Sequence, residues 1–304
     1  MFETDRCCLF LTLNSNVVFP TYRITPSESR AYIRVVSASC CTAASGISSV
    51  RRLYLAKIEM PSFKIAIPSH RRAEGCVKKT LAFLAEHLVP PEIIHLFLEA
   101  DDVPDYILPP DYRPHIIPGR PGTKGQRAAI EDFFPIGSRL ICLDDDITGL
   151  KVLGCPEYNL IDLLEECFDR ADENGCALWG FHPSDNGLSM KDSVTIGLKY
   201  IIGSFFGMTL KYRLEYPTNL TEDFERTIQY YLRDGRVMRF ESIGIKTKYF
   251  AIGGLHEYRV GSAQADECRA FVDKYPLLCK LRERSGKPTD ILIKTISLRK
   301  ISWD

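Results

Sequence analysis

A chain of 304 residues, 45% hydrophobic and 26% charged, has enough apolar surface for a full core, which excludes a disordered or fibrous chain and allows one large domain or two small ones. Lys plus Arg equal Asp plus Glu at 39 each, so no global field selects a nucleic acid or a membrane surface, although a local basic groove remains compatible with neutrality. No apolar run reaches the length of a membrane span, and eleven cysteines, an odd number without a Cys-x-x-Cys pair, fit a reducing compartment.

The opening residues Met1-Phe2-Glu3-Thr4-Asp5-Arg6 are acidic where a secretory leader is basic, so the expected location is the cytosol or nucleus, in a cell or for a virus- or phage-encoded protein. Residues 1–59 are rich in Ser, Thr and Cys and show no clean helical or strand period. They read as an N-terminal extension outside the core, with the functional domain spanning 60–304. From Met60 the texture changes. Phe63-Lys64-Ile65-Ala66-Ile67-Pro68 reads as a strand, and Val77, Leu81, Leu84 and Leu88 follow at helical spacing. Strands are predicted at Ile93 to Leu98 and His115 to Ile117, a helix from about Thr123 to Phe134, and a strand from Arg139 to Leu143. A helix from about Asn159 to Asn174, stopped by Gly175, leads to a strand at Cys176 to Phe181. Repeated β-α pairs predict an α/β fold: a mostly parallel sheet flanked by helices, with ligands beyond the carboxyl ends of the strands. The C-terminal portion is mixed. Short strands are expected at Tyr200 to Ile202 and Met208 to Tyr212, with a helix capped by Asn219, boxed by Glu222 and stopped by Gly235.

Asp144-Asp145-Asp146 directly follows an apolar strand. Adjacent carboxylates repel, and a divalent cation relieves that repulsion; hard oxygen ligands suit Mg²⁺ or Mn²⁺ with substrate phosphates completing the shell. Taken alone, the triplet reads first as a solvated acidic turn that follows a strand, because acidic triplets are common in loops; the strand before it and the basic residues elsewhere favour the metal. Pro68-Ser69-His70-Arg71-Arg72 joins a strand end to a helix N-terminus, a natural place for a nucleotide and its phosphates, or else an ordinary exposed turn. Glu99, at a strand end, can accept hydrogen bonds from a base or ribose. Gly119 to Gly125 lacks the Gly-Lys-Ser/Thr ending of a phosphate-binding loop, but Lys124 and Arg127 lie where they could neutralise a diphosphate. Glu222 and Asp223 stand in the first turn of the C-terminal helix, where the dipole alone favours acids and where a general base is also plausible. His256, among glycines, is a surface residue or a metal ligand.

The order of these motifs resembles GT-A glycosyltransferases: a strand ending in Pro68-Ser69-His70-Arg71-Arg72, a strand ending in the aspartates, the segment Gly203-Ser204-Phe205-Phe206-Gly207, the helix carrying Thr221-Glu222-Asp223, and the later His256. Within that fold, Ile67 to Arg72, Leu143 to Asp146 and Glu222 to Tyr231 are similar to the TET/JBP-associated, base J-type glycosyltransferases. The resemblance implies a GT-A (Rossmann-like) fold and transfer of a hexose, typically glucose from UDP-glucose, to the hydroxyl of a 5-hydroxymethylpyrimidine in DNA. It implies Asp144, Asp146 and His256 as ligands of Mn²⁺ or Mg²⁺, and Asp223, with Glu222 beside it, as the catalytic carboxylates, Asp223 being the base. Pro68, Ser69, Arg71, Glu99, Lys124, Arg127 and Asp145 would contact the donor.

Two other readings stay open. The same fold serves acceptors that are polysaccharides, glycolipids or proteins, and a non-catalytic nucleotide-binding module would use the acidic run structurally. A metal-dependent phosphohydrolase or nuclease also clusters aspartates, but it leaves the Glu222-Asp223 helix and the Pro68 to Arg72 turn without a role.

Overall fold

The computed structural model describes residues 32–37, 53–58, 60–247, 263–284 and 287–301. The chain divides into two units, Met1–Met60 and Pro61–Asp304. In the first, β1 (Tyr32–Ser37) and β2 (Leu53–Ile58) pair antiparallel.

The second unit begins with β3 (Phe63–Ser69), whose side chains alternate between two cores: Phe63, Ile65 and Ile67 face one, Ala66 the other. A strand covered on both faces reads as a continuous apolar run, and the same holds for β4 (Ile94–Leu98) and β6 (Arg139–Leu143). With the short edge strand β5 (His115–Pro118) they form a parallel array in the order β5-β4-β3-β6. The sheet continues through β10 (Phe205–Thr209), antiparallel to both β6 and β8 (Leu178–His182). Then comes β11 (Val237–Thr247), parallel to β8, followed by β9 (Val194–Leu198) and β14 (Ile296–Ile301); β7 (Ile147–Val152) pairs with the end of β11.

Helices cover both faces. On one lie a continuous helical run, made of α1 (Ala73–Cys76), a π-helical segment (Val77–Leu81) and α2 (Ala82–Glu86), and α4 (Leu160–Glu173), which contribute Cys76, Leu84, Leu164 and Phe168. On the other lie α3 (Gly122–Phe133) and α5 (Glu222–Asp234), contributing Ala129, Ile130 and Tyr230. Asn159 caps α4 by accepting from the Asp162 N–H at 3.1 Å, and Gly235 ends α5 with φ of 74°. A smaller cluster joins α6 (Ala263–Lys274) and the antiparallel pair β12 (Cys279–Arg284) and β13 (Lys287–Ile293) to Ile228 of α5. Among the described residues no helix is long and apolar enough to cross a membrane.

The C-terminal expectations need correction. The strands fall at Val194–Leu198 and Phe205–Thr209, with Tyr200 to Ile202 between them outside any strand, because Tyr200 turns toward α5 instead of pairing. Gly207 is therefore a sheet residue. A Cβ there would lie 2.1 Å from Trp179 Cζ2, so its bareness serves packing. The capping box at α5 does not form: Thr221 is the N-cap without a side-chain cap bond, Asn219 Oδ1 accepts from the Lys124 N–H at 3.1 Å, and Glu222 pairs with buried Arg127. A charge-assisted bond to a desolvated guanidinium outcompetes a neutral cap bond.

Candidate functional site

Strand order reverses between β3 and β6, and both strands end at the same edge of the sheet, which makes the crevice beyond Ser69 and Leu143 the expected ligand position. Arg71 and Arg72 of the turn and Asp145 and Asp146 of the acidic run line it, with Asp144 beside them at the end of β6. An open cleft of about 290 Å³ is bounded there by Arg71, Arg72, Glu74, Lys79, Asp145 and Asp146, among others. Arg71 bends into it with φ of 52°, a left-handed conformation that turns the strand sharply into the helix.

The aspartates differ. Asp145 is 5% exposed and has both oxygens engaged: Ser69 Oγ donates to Oδ2 at 2.5 Å and Arg72 Nη1 to Oδ1 at 2.9 Å. Tyr106 donates to Ser69 Oγ at 2.6 Å, so a hydrogen-bonded chain runs from Tyr106 to Asp145. Burial raises the Asp145 pKa while Arg72 and Ser69 oppose the rise. Asp144 opens 38% of its side chain to solvent and takes an ion pair from Arg127 Nη2 at 3.2 Å. The packed surroundings, then repulsion from Asp146 and Asp145, push it up to about 7 against the pull of Arg127, a shift that water at the open side weakens. Asp146 accepts from Thr247 Oγ1 at 2.9 Å, with Arg72 Nη1 3.6 Å away.

Behind this turn stands a second acidic pair. Arg127, only 4% exposed, donates from Nε to Glu222 Oε1 at 3.1 Å and from Nη2 to the Gly203 carbonyl at 3.0 Å as well as to Asp144. Gly203 joins the pieces. Its N–H donates to Asp223 Oδ2 at 3.3 Å, and a Cβ would meet Glu222 Oε1 at 3.1 Å and Asp223 Cβ at 3.3 Å. Tyr200 also donates to Asp223 Oδ2, and the Phe224 N–H to Oδ1. Burial and the neighbouring Glu222 push Asp223 up to about 7, with Arg226, Tyr200 and the Gly203 N–H pulling the other way. A carboxyl held near neutrality beside an open acidic turn suits proton transfer at physiological pH.

Other sequence candidates fall around these centres. Pro68 sits in β3 opposite Phe97. Glu99 Oε1 pairs with His70 Nδ1 at 3.2 Å, and Asp102 takes the same ring nitrogen at 2.9 Å and the Arg71 N–H at 3.0 Å. Lys124 is exposed, its Nζ donating to the Pro217 carbonyl at 3.2 Å. His256 lies outside the described residues. Arg72, Tyr106, Tyr200, Gly203 and Thr247 complete the network; Arg72, next to Arg71 in the turn, and Gly203, in the glycine-containing segment, carried a local signal, and Tyr106, Tyr200 and Thr247 carried none.

Among the described residues no three His, Cys, Asp or Glu side chains converge as a preformed metal cage. Asp144 and Asp146, both partly open, nevertheless offer hard-oxygen donors of the kind that Mg²⁺ or Mn²⁺ takes, since such ions are held by one or two carboxylates with phosphates completing the shell rather than by all-protein cages. The residues fit such an ion.

No protein-family model and no curated protein sequence matches the chain. Among solved structures it is similar to glucosyl-3-phosphoglycerate synthase from Mycobacterium tuberculosis in complex with Mn²⁺, uridine diphosphate and glucosyl-3-phosphoglycerate, with TM-score 0.46 and 11% identity over 79% of this chain and 89% of that one. The same enzyme with Mn²⁺, UDP-glucose and phosphoglyceric acid overlaps at TM-score 0.44 and 12% identity, with the same coverage. CMP:2-keto-3-deoxy-manno-octonic acid synthetase complexed with CTP overlaps at TM-score 0.38 and 10% identity, over 70% of this chain and 99% of that one. With TM-scores below 0.5, these likenesses do not carry an activity over to this chain.

Proposed function

We propose that this chain is a divalent-metal-dependent glycosyltransferase of the GT-A type that moves a hexose from a nucleotide-sugar donor, UDP-glucose being the expected one, to an acceptor hydroxyl. The observation that carries the reading is the double grip of Arg127, which holds Asp144 on one side and Glu222 on the other. It brings an open acidic turn and a near-neutral carboxyl, Asp223, into one network beside a cleft bordered by Arg71, Arg72 and Lys79.

In this reading Asp144 and Asp146 hold Mn²⁺ or Mg²⁺, with His256 as a further ligand. A bound ion would supply the positive charge against which a diphosphate leaves. Arg71 and the helix N-terminus bind the donor's phosphates, while Asp145, locked by Ser69 and Arg72, keeps Arg72 beside the cleft. Asp223 takes the proton of the acceptor hydroxyl as that oxygen attacks the anomeric carbon, and Gly203 and Tyr200 hold the carboxylate in place. One displacement inverts the sugar's configuration.

We infer further, from the resemblance of Ile67 to Arg72, Leu143 to Asp146 and Glu222 to Tyr231 to the base J-type family, that the acceptor is a 5-hydroxymethylpyrimidine in DNA and that the enzyme works in the cytosol or nucleus. A base in duplex would have to rotate out of the stack to reach the cleft, which costs a few kcal/mol. The test is incubation with UDP-glucose, Mn²⁺ and DNA containing 5-hydroxymethylcytosine or 5-hydroxymethyluracil, followed by the mass of the released nucleosides. A gain of one hexose is expected. UDP release stimulated by a polysaccharide, glycolipid or protein and indifferent to modified DNA would move the acceptor and keep the chemistry. Sugar transfer to none of these from any common nucleotide sugar overturns the enzyme reading. UDP-dependent Mn²⁺ binding that survives Asp146→Asn unchanged overturns the assignment of the acidic turn.

A further inference from the structure

The helical run after β3 contains the π-helical segment Val77–Leu81, and Thr80 within it is fully buried. A π segment inserts a residue into a helical turn and displaces the side chains around it, a distortion that recurs at functional sites. Here it accompanies a bridge from the helix to the acidic turn. Thr80 Oγ1 donates to the Asp144 carbonyl at 2.8 Å and accepts from the Ile147 N–H at 2.9 Å. Those two backbone groups stand three residues apart, at either side of Asp145 and Asp146. One hydroxyl thus spans the whole turn from the helix beneath it. The Asp144 N–H is held separately, by the Ser204 carbonyl at 2.9 Å. The backbone of Asp144 is therefore fastened at both of its polar groups, leaving its carboxylate as the open part.

We propose that Thr80 is a positioning residue for the divalent-cation site: its hydroxyl sets the spacing of the Asp144 and Asp146 carboxylates by bracing the turn between them. The inference rests on the reading of that turn as a metal site and adds a determinant outside the acidic motif. A buried apolar position in the helix would be filled better by Val, which has the same shape. The hydroxyl is present where two backbone groups need a partner, and a buried group left unpaired carries a penalty. Groups that orient metal ligands from behind change metal affinity about 10- to 100-fold when they are removed.

The test is calorimetric titration of Mn²⁺ into the full chain with UDP present, with the folded state of each variant checked by circular dichroism. Thr80→Val is expected to weaken Mn²⁺ binding at least about tenfold, and Thr80→Ser to bind within about threefold of the wild type because the hydroxyl is retained. If Thr80→Val does not fold, Thr80→Ser against Thr80→Ala gives the same comparison, since both lose the methyl and only Ala loses the hydroxyl. Equal Mn²⁺ affinity in the hydroxyl-bearing and hydroxyl-free variants overturns the role of Thr80 while leaving the metal reading intact. A wild-type chain that binds no Mn²⁺ overturns both.

Discussion

Arg127 Nε donates to Glu222 Oε1 at 3.1 Å across 95 residues of sequence, and the same guanidinium reaches Asp144 on its other side. Arg127 and Glu222 are 4% and 6% exposed, so neither charge has water to fall back on. The side chains of α3, which leads into the aspartate strand, and of α5, far beyond it in sequence, thus meet behind the cleft. The arrangement has measurable consequences.

Removing one partner of a buried pair leaves the other charge stranded, which costs about 3–5 kcal/mol. Arg127→Met should lower unfolding stability by about that much in urea. The double variant Arg127→Met with Glu222→Gln should recover part of the loss, because it removes the stranded carboxylate. Equal losses in the single and double variants would mean that the pair does not carry the effect.

The Asp223 carboxyl is pushed up to about 7, first by burial and then by Glu222, whereas in the unfolded chain it titrates near 4. Between about pH 4 and pH 7 the native state therefore holds a proton that the unfolded chain has released. This group's contribution to stability falls as pH rises through that window. The base role proposed for it has the opposite sign and should grow as pH rises through about 7. Asp223→Asn should cut the transfer rate at least about a hundredfold. Relative to the wild type, its melting temperature should be higher at pH 8 than at pH 5. Rate profiles and thermal melts at both pH values check the two signs together.

Tyr200 donates to the Asp223 carboxylate, an interaction that favours the charged form. Tyr200→Phe should move the acidic limb of the kcat profile to higher pH and leave the high-pH plateau largely in place. A uniform fall in rate with an unmoved limb would assign Tyr200 to packing, where its ring stacks on Phe224 at 4.5 Å.

Asp145 is the aspartate whose loss should be read in stability. Asn can keep the Ser69 contact but gives up the ion pair with Arg72, which is 2.9 Å away. Asp145→Asn should destabilise the fold measurably in urea, whereas Asp146→Asn should act mainly on Mn²⁺ binding. Comparing melting temperature with Mn²⁺ affinity for the two variants separates the roles.

Gly207 offers a test of the sheet itself. With a Cβ only 2.1 Å from the Trp179 ring, Gly207→Ala must displace a fully buried indole, and overpacking of this kind costs about 1–3 kcal/mol or more. Denaturant midpoints measure it; no change would contradict the packing of β10 against β8.

The sequence by itself determined the local elements. Arg139 to Leu143 is apolar enough to be a buried strand and stops at the first aspartate, Asn159 and Gly175 bracket α4, and Gly235 ends α5. Period and turn chemistry act over a few residues, so one chain suffices to read them. The same locality explains the errors after Leu198, where short apolar runs support more than one register and no local pattern marks Gly207 as the strand residue that faces Trp179. The division of labour among Asp144, Asp145 and Asp146 was decided by the tertiary structure. In sequence they are three equivalent carboxylates, and only contacts with Ser69, Arg72, Thr80, Arg127 and Thr247 close one and leave two partly open. Those partners come from four separate segments, and a charge in a sequence carries no record of the residue that will neutralise it.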